Sequence, residues 1–279
     1  MGHRLCADPR KGAKTMTENI TKKGFDMNKK TLEQIRQAVV EAGKALCRSA
    51  MTVGTYGNIS CRVDEGCIAI TPSGRNYEQL TPADIVVTDM EGTVLKSSSA
   101  LTSQVFDNKT AATDPVNSKE NSSSTEVPLR PSSELPLHLE IYKSFPEAQA
   151  IVHTHSVYAS ALAAAHKDLP PLIEDLTQIV GGGVRCTEYT MAGTKELGKK
   201  AVQAMEGGRS AALLANHGAV CWGRNMQEAL TTAQILEKAA QVYCVAHSFG
   251  TPFPLNENTV EKLHDFYLNH YSKRQRGEE

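Results

Sequence analysis

Ala150-Ile151-Val152-His153-Thr154-His155-Ser156-Val157-Tyr158-Ala159 is the stretch on which the reading of this chain turns. The apolar β-type run at 150–152 leads straight into the histidines and predicts a strand. Side chains alternate along a strand, so His153 and His155 point to one face. A third histidine follows a second apolar run, in Ala211-Ala212-Leu213-Leu214-Ala215-Asn216-His217-Gly218, and is predicted to ride on that strand. The glycine after it suggests backbone crowding around a site. Together these imidazoles make a three-nitrogen set of the kind a catalytic zinc uses, with one coordination position left open for chemistry. Ordinary core or surface histidines are the competing reading, and spacing alone does not separate the two. The flanks favour a site, because an Ile-Val strand has no packing reason to bury two imidazoles.

Outward from this strand, helical and extended patterns interleave. A helix is predicted to begin at Thr31, where Gln34 three residues on completes a capping box. Leu32, Ile35, Val39, Ala42 and Leu46 form its apolar stripe. Ile59 to Val63 and Cys67 to Ile70 flank Asp64-Glu65-Gly66, a hairpin pattern, and 85–88 with 93–95 around Met90-Glu91-Gly92 form another. Further helices are predicted from about 135 to 143, from the His-Thr-His strand to about 166, from Thr194 to Met205 and from Met226 to about 247. No repeat is visible, and the alternation predicts one α/β domain with helices covering a sheet.

The chain has 279 residues and a formal net charge of −1, which gives no case for nucleic acid or a membrane surface as partner. It contains no apolar run of about 18 residues. Its seven cysteines lack a Cys-x-x-Cys pair and fit reduced thiols in the cytoplasm, and the N-terminus has no apolar signal-peptide core. Residues 1–30 are basic and aperiodic and read as a disordered extension, with a mitochondrial presequence as the rival. Residues 97–127, rich in Ser, Thr, Asn and Lys, read as a flexible insertion, and 271–279 as a polar tail.

Small-residue segments stand beside the predicted elements: Gly54-Thr55-Tyr56-Gly57-Asn58-Ile59-Ser60, Thr71-Pro72-Ser73-Gly74 and Pro131-Ser132-Ser133-Glu134. Each offers N–H and O–H donors with little bulk, as a phosphate oxygen needs, and Ser132-Ser133 precede a helix whose dipole favours an anion. Taken singly, each is equally a turn or a cap. Glu134 reads either as a charge in a first helical turn or as a carboxylate beside the metal, serving as ligand or base.

In chain order, Gly57-Asn58, the 71–74 and 131–134 segments, His153-Thr154-His155 and Asn216-His217-Gly218 resemble the class II aldolase/adducin family over about residues 31–250. The resemblance implies a single three-layer αβα domain at 31–270, with a mixed central sheet covered by helices. It implies one Zn2+ per subunit on His153, His155 and His217, with Glu134 as resting ligand and catalytic base. It implies a substrate phosphate held by Gly57, Asn58, Ser73, Gly74, Ser132 and Ser133, and a homotetramer with active sites at its interfaces. The fuculose-phosphate branch looks nearest. The implied reaction is cleavage of a ketose 1-phosphate, such as L-fuculose 1-phosphate, to dihydroxyacetone phosphate and an aldehyde such as L-lactaldehyde.

That branch uses a tyrosine of a neighbouring subunit as acid. Matching through Gly181-Gly182 puts Glu174 there, either as a replacement acid or as a surface glutamate. Tyr267 stands near the family's C-terminal tyrosine. Related epimerases carry Asp where Glu134 stands, which favours an aldolase. Methylthioribulose-1-phosphate dehydratases and aldolases for deoxypentulose 1-phosphates stay open through Glu174. Non-catalytic, adducin-like members lack the metal histidines.

Overall fold

The structure, a computed structural model, describes residues 31–95 and 129–278. The extension at 1–30 and the insertion at 97–127 lie outside the described residues. In chain order the elements are α1 (Leu32–Arg48), β1 (Asn58–Arg62), β2 (Cys67–Ile70), β3 (Val86–Asp89), α2 (Leu135–Ser144), β4 (Ala150–Thr154), α3 (Val157–Ala164), α4 (Glu174–Val180), α5 (Lys195–Met205), β5 (Ala211–Leu214), β6 (Gly218–Gly223), α6 (Met226–Phe249), α7 (Glu257–Phe266), a π-helical turn (Tyr267–Tyr271) and α8 (Ser272–Arg276).

Local chemistry sets the boundaries. The Thr31 N–H donates to Gln34 Oε1 at 2.8 Å and the Gln34 N–H to Thr31 Oγ1 at 3.3 Å, so the capping box starts α1 where the sequence puts it. Asp64 accepts from the Gly66 N–H at 2.8 Å and turns β1 into β2. The second hairpin keeps only one arm as a strand, β3, joined to Val94 by a single bridge from Thr88. Thr194 caps α5 through the Leu197 N–H.

The strands lie in the order β3-β2-β1-β4-β6-β5. All five strand pairings are antiparallel. Parallel pairing enters through the isolated bridge between Cys186 and Leu213, so the expected mixed sheet is mixed only at its edge. Short turns join β1 to β2 and β5 to β6, as an antiparallel ladder allows, whereas the other pairings bring together strands separated by longer connections.

The two-residue period of the strands divides the interior into two apolar layers. Ile59, Ala69, Val87, Val152, Leu213 and Cys221 pack with α1, α3, α4 and α6. Ile68, Ile70, Val86, Ile151, Leu214 and Val220 pack with α2 and α5 on the opposite face. This is the three-layer αβα arrangement. A strand buried on both faces loses polar alternation, which is why 150–152 reads as a continuous apolar run.

His217 departs from its predicted place on a strand. β5 ends at Leu214, and His217 occupies the turn before β6, where Asn216 has φ +56°. The 272–276 part of the polar tail is helical, with Ser272 buried.

A Cβ on Gly218 would stand 2.3 Å from the Thr154 carbonyl oxygen, inside the β4–β6 ladder. Gly218→Ala is expected to force the strands apart and lower stability by about 1–3 kcal/mol. Urea denaturation with an unchanged midpoint would refute that.

Candidate active site

Glu134 caps the start of α2, and His153 is the fourth residue of β4. His155 lies one residue beyond that strand. Two glycines let other backbone close on this strand end. Gly57 has φ +75°, and a Cβ there would stand 2.7 Å from the His153 carbonyl oxygen. Gly218 plays the same part for the turn that carries His217. The Tyr77 hydroxyl donates to the Gly57 carbonyl at 2.7 Å and fixes the loop before β1.

Four side chains converge there, with one donor atom each from Glu134, His153, His155 and His217 lying within 4.8 Å of one another. Glu134 Oε2 is 2.9 Å from His153 Nε2, and Oε1 is 3.2 Å from His217 Nε2. His153 Nε2 and His155 Nε2 are 2.9 Å apart. The His153 Nδ1–H donates to the Ala219 carbonyl at 2.9 Å, because a carbonyl can only accept. That bond turns His153 Nε2 toward the cluster, the usual outer support of a ligating histidine.

Burial pushes the Glu134 carboxyl up, but the charges and hydrogen bonds of His153, His217 and Asn58 outweigh it and hold the group well below the usual carboxylate range. Burial, then the charge of His153, lowers His155 and His217 each to about 4. At neutral pH the cluster therefore presents a carboxylate and unprotonated His155 and His217 rings. Glu134 Oε1 and His217 Nδ1 are buried without a hydrogen-bond partner. Imidazoles with a carboxylate are a donor set that suits zinc, so these residues fit a divalent metal.

The phosphate candidates share this cavity. A cleft of about 380 Å³ is lined by Gly57, Asn58, Ser73, Gly74, Ser132 and Ser133 together with Glu134, His155 and His217. Backbone bonds lock its two serine loops together: the Ser73 N–H donates to the Arg130 carbonyl at 2.9 Å, and the Ser132 N–H to the Thr71 carbonyl at 3.0 Å. Ser73, Gly74 and Ser133 are exposed toward the opening. Ser132 is buried, and its Oγ accepts from the Glu134 N–H at 3.2 Å. The Asn58 side chain is also buried and donates to Glu134 Oε2 at 2.9 Å.

Glu174 is not brought to this cluster within the chain. It is exposed in the first turn of α4 and does not line the cleft. Tyr267 is buried elsewhere, its hydroxyl donating to Glu228 Oε1 at 2.8 Å.

Sequence reasoning placed Thr55 and Tyr56 in a candidate loop without assigning them to the site, and it missed Ala192 on the cleft wall. Gly193 was the available clue: with φ +76°, its missing Cβ leaves room for the Ser133 carbonyl, 2.9 Å from where that carbon would be. It also missed His138, which bonds Asn58 Oδ1 at 2.5 Å. Its clue was its spacing, four residues beyond Glu134 and hence on the same helix face.

Residues 37–244 match the family described as Class II Aldolase and Adducin N-terminal domain. The chain is 34% identical over 233 residues to the 5-deoxy-D-ribulose 1-phosphate aldolase of Bacillus thuringiensis serovar kurstaki, covering 83% of this chain and 94% of that one. It is 29% identical over 229 residues to the 5-methylthioribulose-1-phosphate/5-deoxyribulose-1-phosphate aldolase of Rhodospirillum rubrum, covering 82% and 89%. A solved L-fuculose 1-phosphate aldolase has the same fold, with a TM-score of 0.70 at 32% identity over 84% of this chain and 96% of that one.

Burial, with the charge of His153 adding to it, lowers His138 to about 3. The unfolded chain, at about 6.5, takes this proton first. Stability is thus complete above about pH 6.5 and falls on acidification by up to about 1.4 kcal/mol per pH unit for such a group. In chelator-treated protein, His138→Gln is expected to flatten this acid limb between about pH 6.5 and 4. Equal urea midpoint slopes in the two proteins would contradict the assignment.

Proposed function

The chain belongs to the class II aldolase and adducin family, and on that footing we propose that it is a zinc-dependent aldolase. It cleaves a ketose 1-phosphate to dihydroxyacetone phosphate and an aldehyde. The observation that carries this reading is the meeting of Glu134, His155 and His217 with both serine loops in one cleft. A carboxylate that can move a proton thus stands beside donors suited to a phosphate.

His153, His155, His217 and Glu134 hold one zinc ion per subunit. Zinc held there would supply stabilisation of negative charge on the substrate oxygens. Glu134 moves the proton between a carboxylate oxygen and the terminal carbon of the three-carbon fragment. The backbone at Gly57 and Gly74, the Ser73 and Ser133 hydroxyls, and the Asn58 and Ser132 groups behind them orient the phosphate and hold the ketose in register. Glu174, exposed in one protomer, acts across an interface of a homotetramer, where it gives a proton to the aldehyde oxygen in the direction of synthesis.

The aldehyde half defines the substrate. L-Fuculose 1-phosphate, which releases L-lactaldehyde, is the first reading, and the 32% identical structure supports it. A deoxypentulose 1-phosphate, which releases a two-carbon aldehyde, is the second and is supported by the 34% identical relative. Both share the half held by the phosphate loops. Loss of water from methylthioribulose 1-phosphate is the dehydratase alternative. The complete donor set argues against a non-catalytic, adducin-like role. A cytoplasmic location is supported by the cysteines, which are scattered without a Cys-x-x-Cys pair. Among those residues, no helix is long and apolar enough to cross a membrane.

Zinc-loaded protein is expected to release dihydroxyacetone phosphate from L-fuculose 1-phosphate or 5-deoxyribulose 1-phosphate, with a chelator abolishing release and zinc restoring it. Product analysis beside methylthioribulose 1-phosphate tests this, and water loss with an intact carbon chain would overturn it. Glu134→Gln is expected to keep stoichiometric zinc and lose about 10²–10⁴-fold in kcat; near-normal turnover would remove Glu134 from the role of base. Glu174→Gln is expected to lower kcat without changing zinc content, and wild-type kcat would return Glu174 to the surface.

A further inference from the structure

A row of polar side chains runs through the apolar layer under the cleft. Glu134, His138 and Tyr142 follow one another at i, i+4 and i+8 along one face of α2. Asn58, Ser60 and Arg62 follow at i, i+2 and i+4 along one face of β1. The two rows mesh. Tyr142 OH lies 2.9 Å from Ser60 Oγ, and Ser60 Oγ lies 2.6 Å from His138 Nδ1. His138 Nε2 lies 2.5 Å from Asn58 Oδ1, and Asn58 Nδ2 lies 2.9 Å from Glu134 Oε2.

The direction of every bond in this chain follows from its ends. A carboxylate only accepts, so Asn58 turns its NH2 to Glu134 and its carbonyl to His138. That carbonyl only accepts, so the His138 Nε2–H donates. The neutral ring then has a single acceptor, Nδ1, to which the Ser60 hydroxyl donates, and Ser60 Oγ accepts from the Tyr142 hydroxyl. The far end is tied down: Arg62 Nη2 donates to the Tyr142 carbonyl at 3.0 Å, Arg62 Nε donates to the Ala148 carbonyl at 3.1 Å, and the guanidinium lies 4.8 Å from the Tyr142 ring centre.

Ser60 and His138 are wholly buried, and the neighbouring positions of α2 are Leu135, Leu137, Leu139 and Ile141. Stability alone does not call for polar groups here. Burying them gains little even when they are fully bonded, and apolar partners of similar shape are close to neutral. The row ends at one oxygen of the carboxylate beside the histidines.

We infer that Tyr142, Ser60, His138 and Asn58 form a buried positioning chain for Glu134, with His138 as its central positioning residue. The chain fixes which oxygen of Glu134 is held and which is left without a hydrogen-bond partner. The inference rests on the reading of Glu134 as ligand and base.

The test measures Zn2+ affinity by chelator competition, kcat and KM, and thermal midpoint for His138→Phe, His138→Gln, Ser60→Ala and Tyr142→Phe. His138→Phe is expected to weaken Zn2+ binding and lower kcat by about 10–100-fold, with little change in KM. His138→Gln, which keeps an N–H toward Asn58, is expected to fall between it and wild type. In a Glu134→Gln background the His138→Phe effect on Zn2+ affinity is expected to shrink to within about twofold, because the partner it acts through is already altered. A lowered thermal midpoint with wild-type Zn2+ affinity and kcat would reduce His138 to a packing role and overturn the inference. So would an undiminished effect in the Glu134→Gln background. If His138→Phe does not fold, Ser60→Ala and Tyr142→Phe cut the same chain through smaller groups, and wild-type behaviour in both would overturn it. Glu134→Gln alone separates the two readings. Its normal turnover and zinc affinity would sink the base and this inference together, whereas its impairment beside wild-type His138 variants would sink only the positioning chain.

Discussion

Asn58 pairs with His153 on one side of β4, and Val220 pairs with it on the other. This double ladder is the constraint on which the rest of the structure depends. It holds the histidine-bearing end of β4 between two backbones that cannot slide without turning every buried side chain to the wrong face. Both neighbouring chains approach through glycine, at Gly57 and Gly218, where a Cβ would strike a carbonyl of β4. The close packing puts the turn bearing His217 and the loop bearing Asn58 against His153.

Around that seam the structure buries charge in a way water-exposed groups would not tolerate. Glu134 is removed from solvent, yet it stays ionised because imidazoles and the Asn58 amide compensate the lost hydration. The same burial keeps His155 and His217 unprotonated. Desolvation thus acts in opposite directions on carboxylate and imidazole, and local contacts decide the result for the carboxylate. The His153 ring is oriented from outside by the Ala219 carbonyl, so the ladder also aims the side chain.

The two serine loops show how a cleft wall is built from turns. Their mutual backbone bonds use the Ser73 and Ser132 N–H donors and the Thr71 and Arg130 carbonyl acceptors, while the residues Ser73 and Ser133 stay exposed. Ser132 and Asn58 support Glu134 from behind. These buried groups and the exposed ones come from the same short motifs, because adjacent residues in a tight turn point to different sides.

Helix–strand alternation and the capping-box start at Thr31 were legible in the sequence, because short-range spacing carries them: period two in strands, three to four in helices. The metal and phosphate candidates were legible only as short motifs whose order resembles one family. Tertiary structure was needed to show that His217 sits in a turn, that the sheet is antiparallel but for one edge bridge among the described residues, and that Glu174 stands apart from the cluster in the chain. Only it joined Asn58 and Ser60 to His138 and Tyr142, across more than seventy residues of chain. The reason is physical. A periodic pattern says which face a side chain occupies, but the partner on the facing element is fixed by ladder register and by close glycine contacts, and neither is a local property of the sequence.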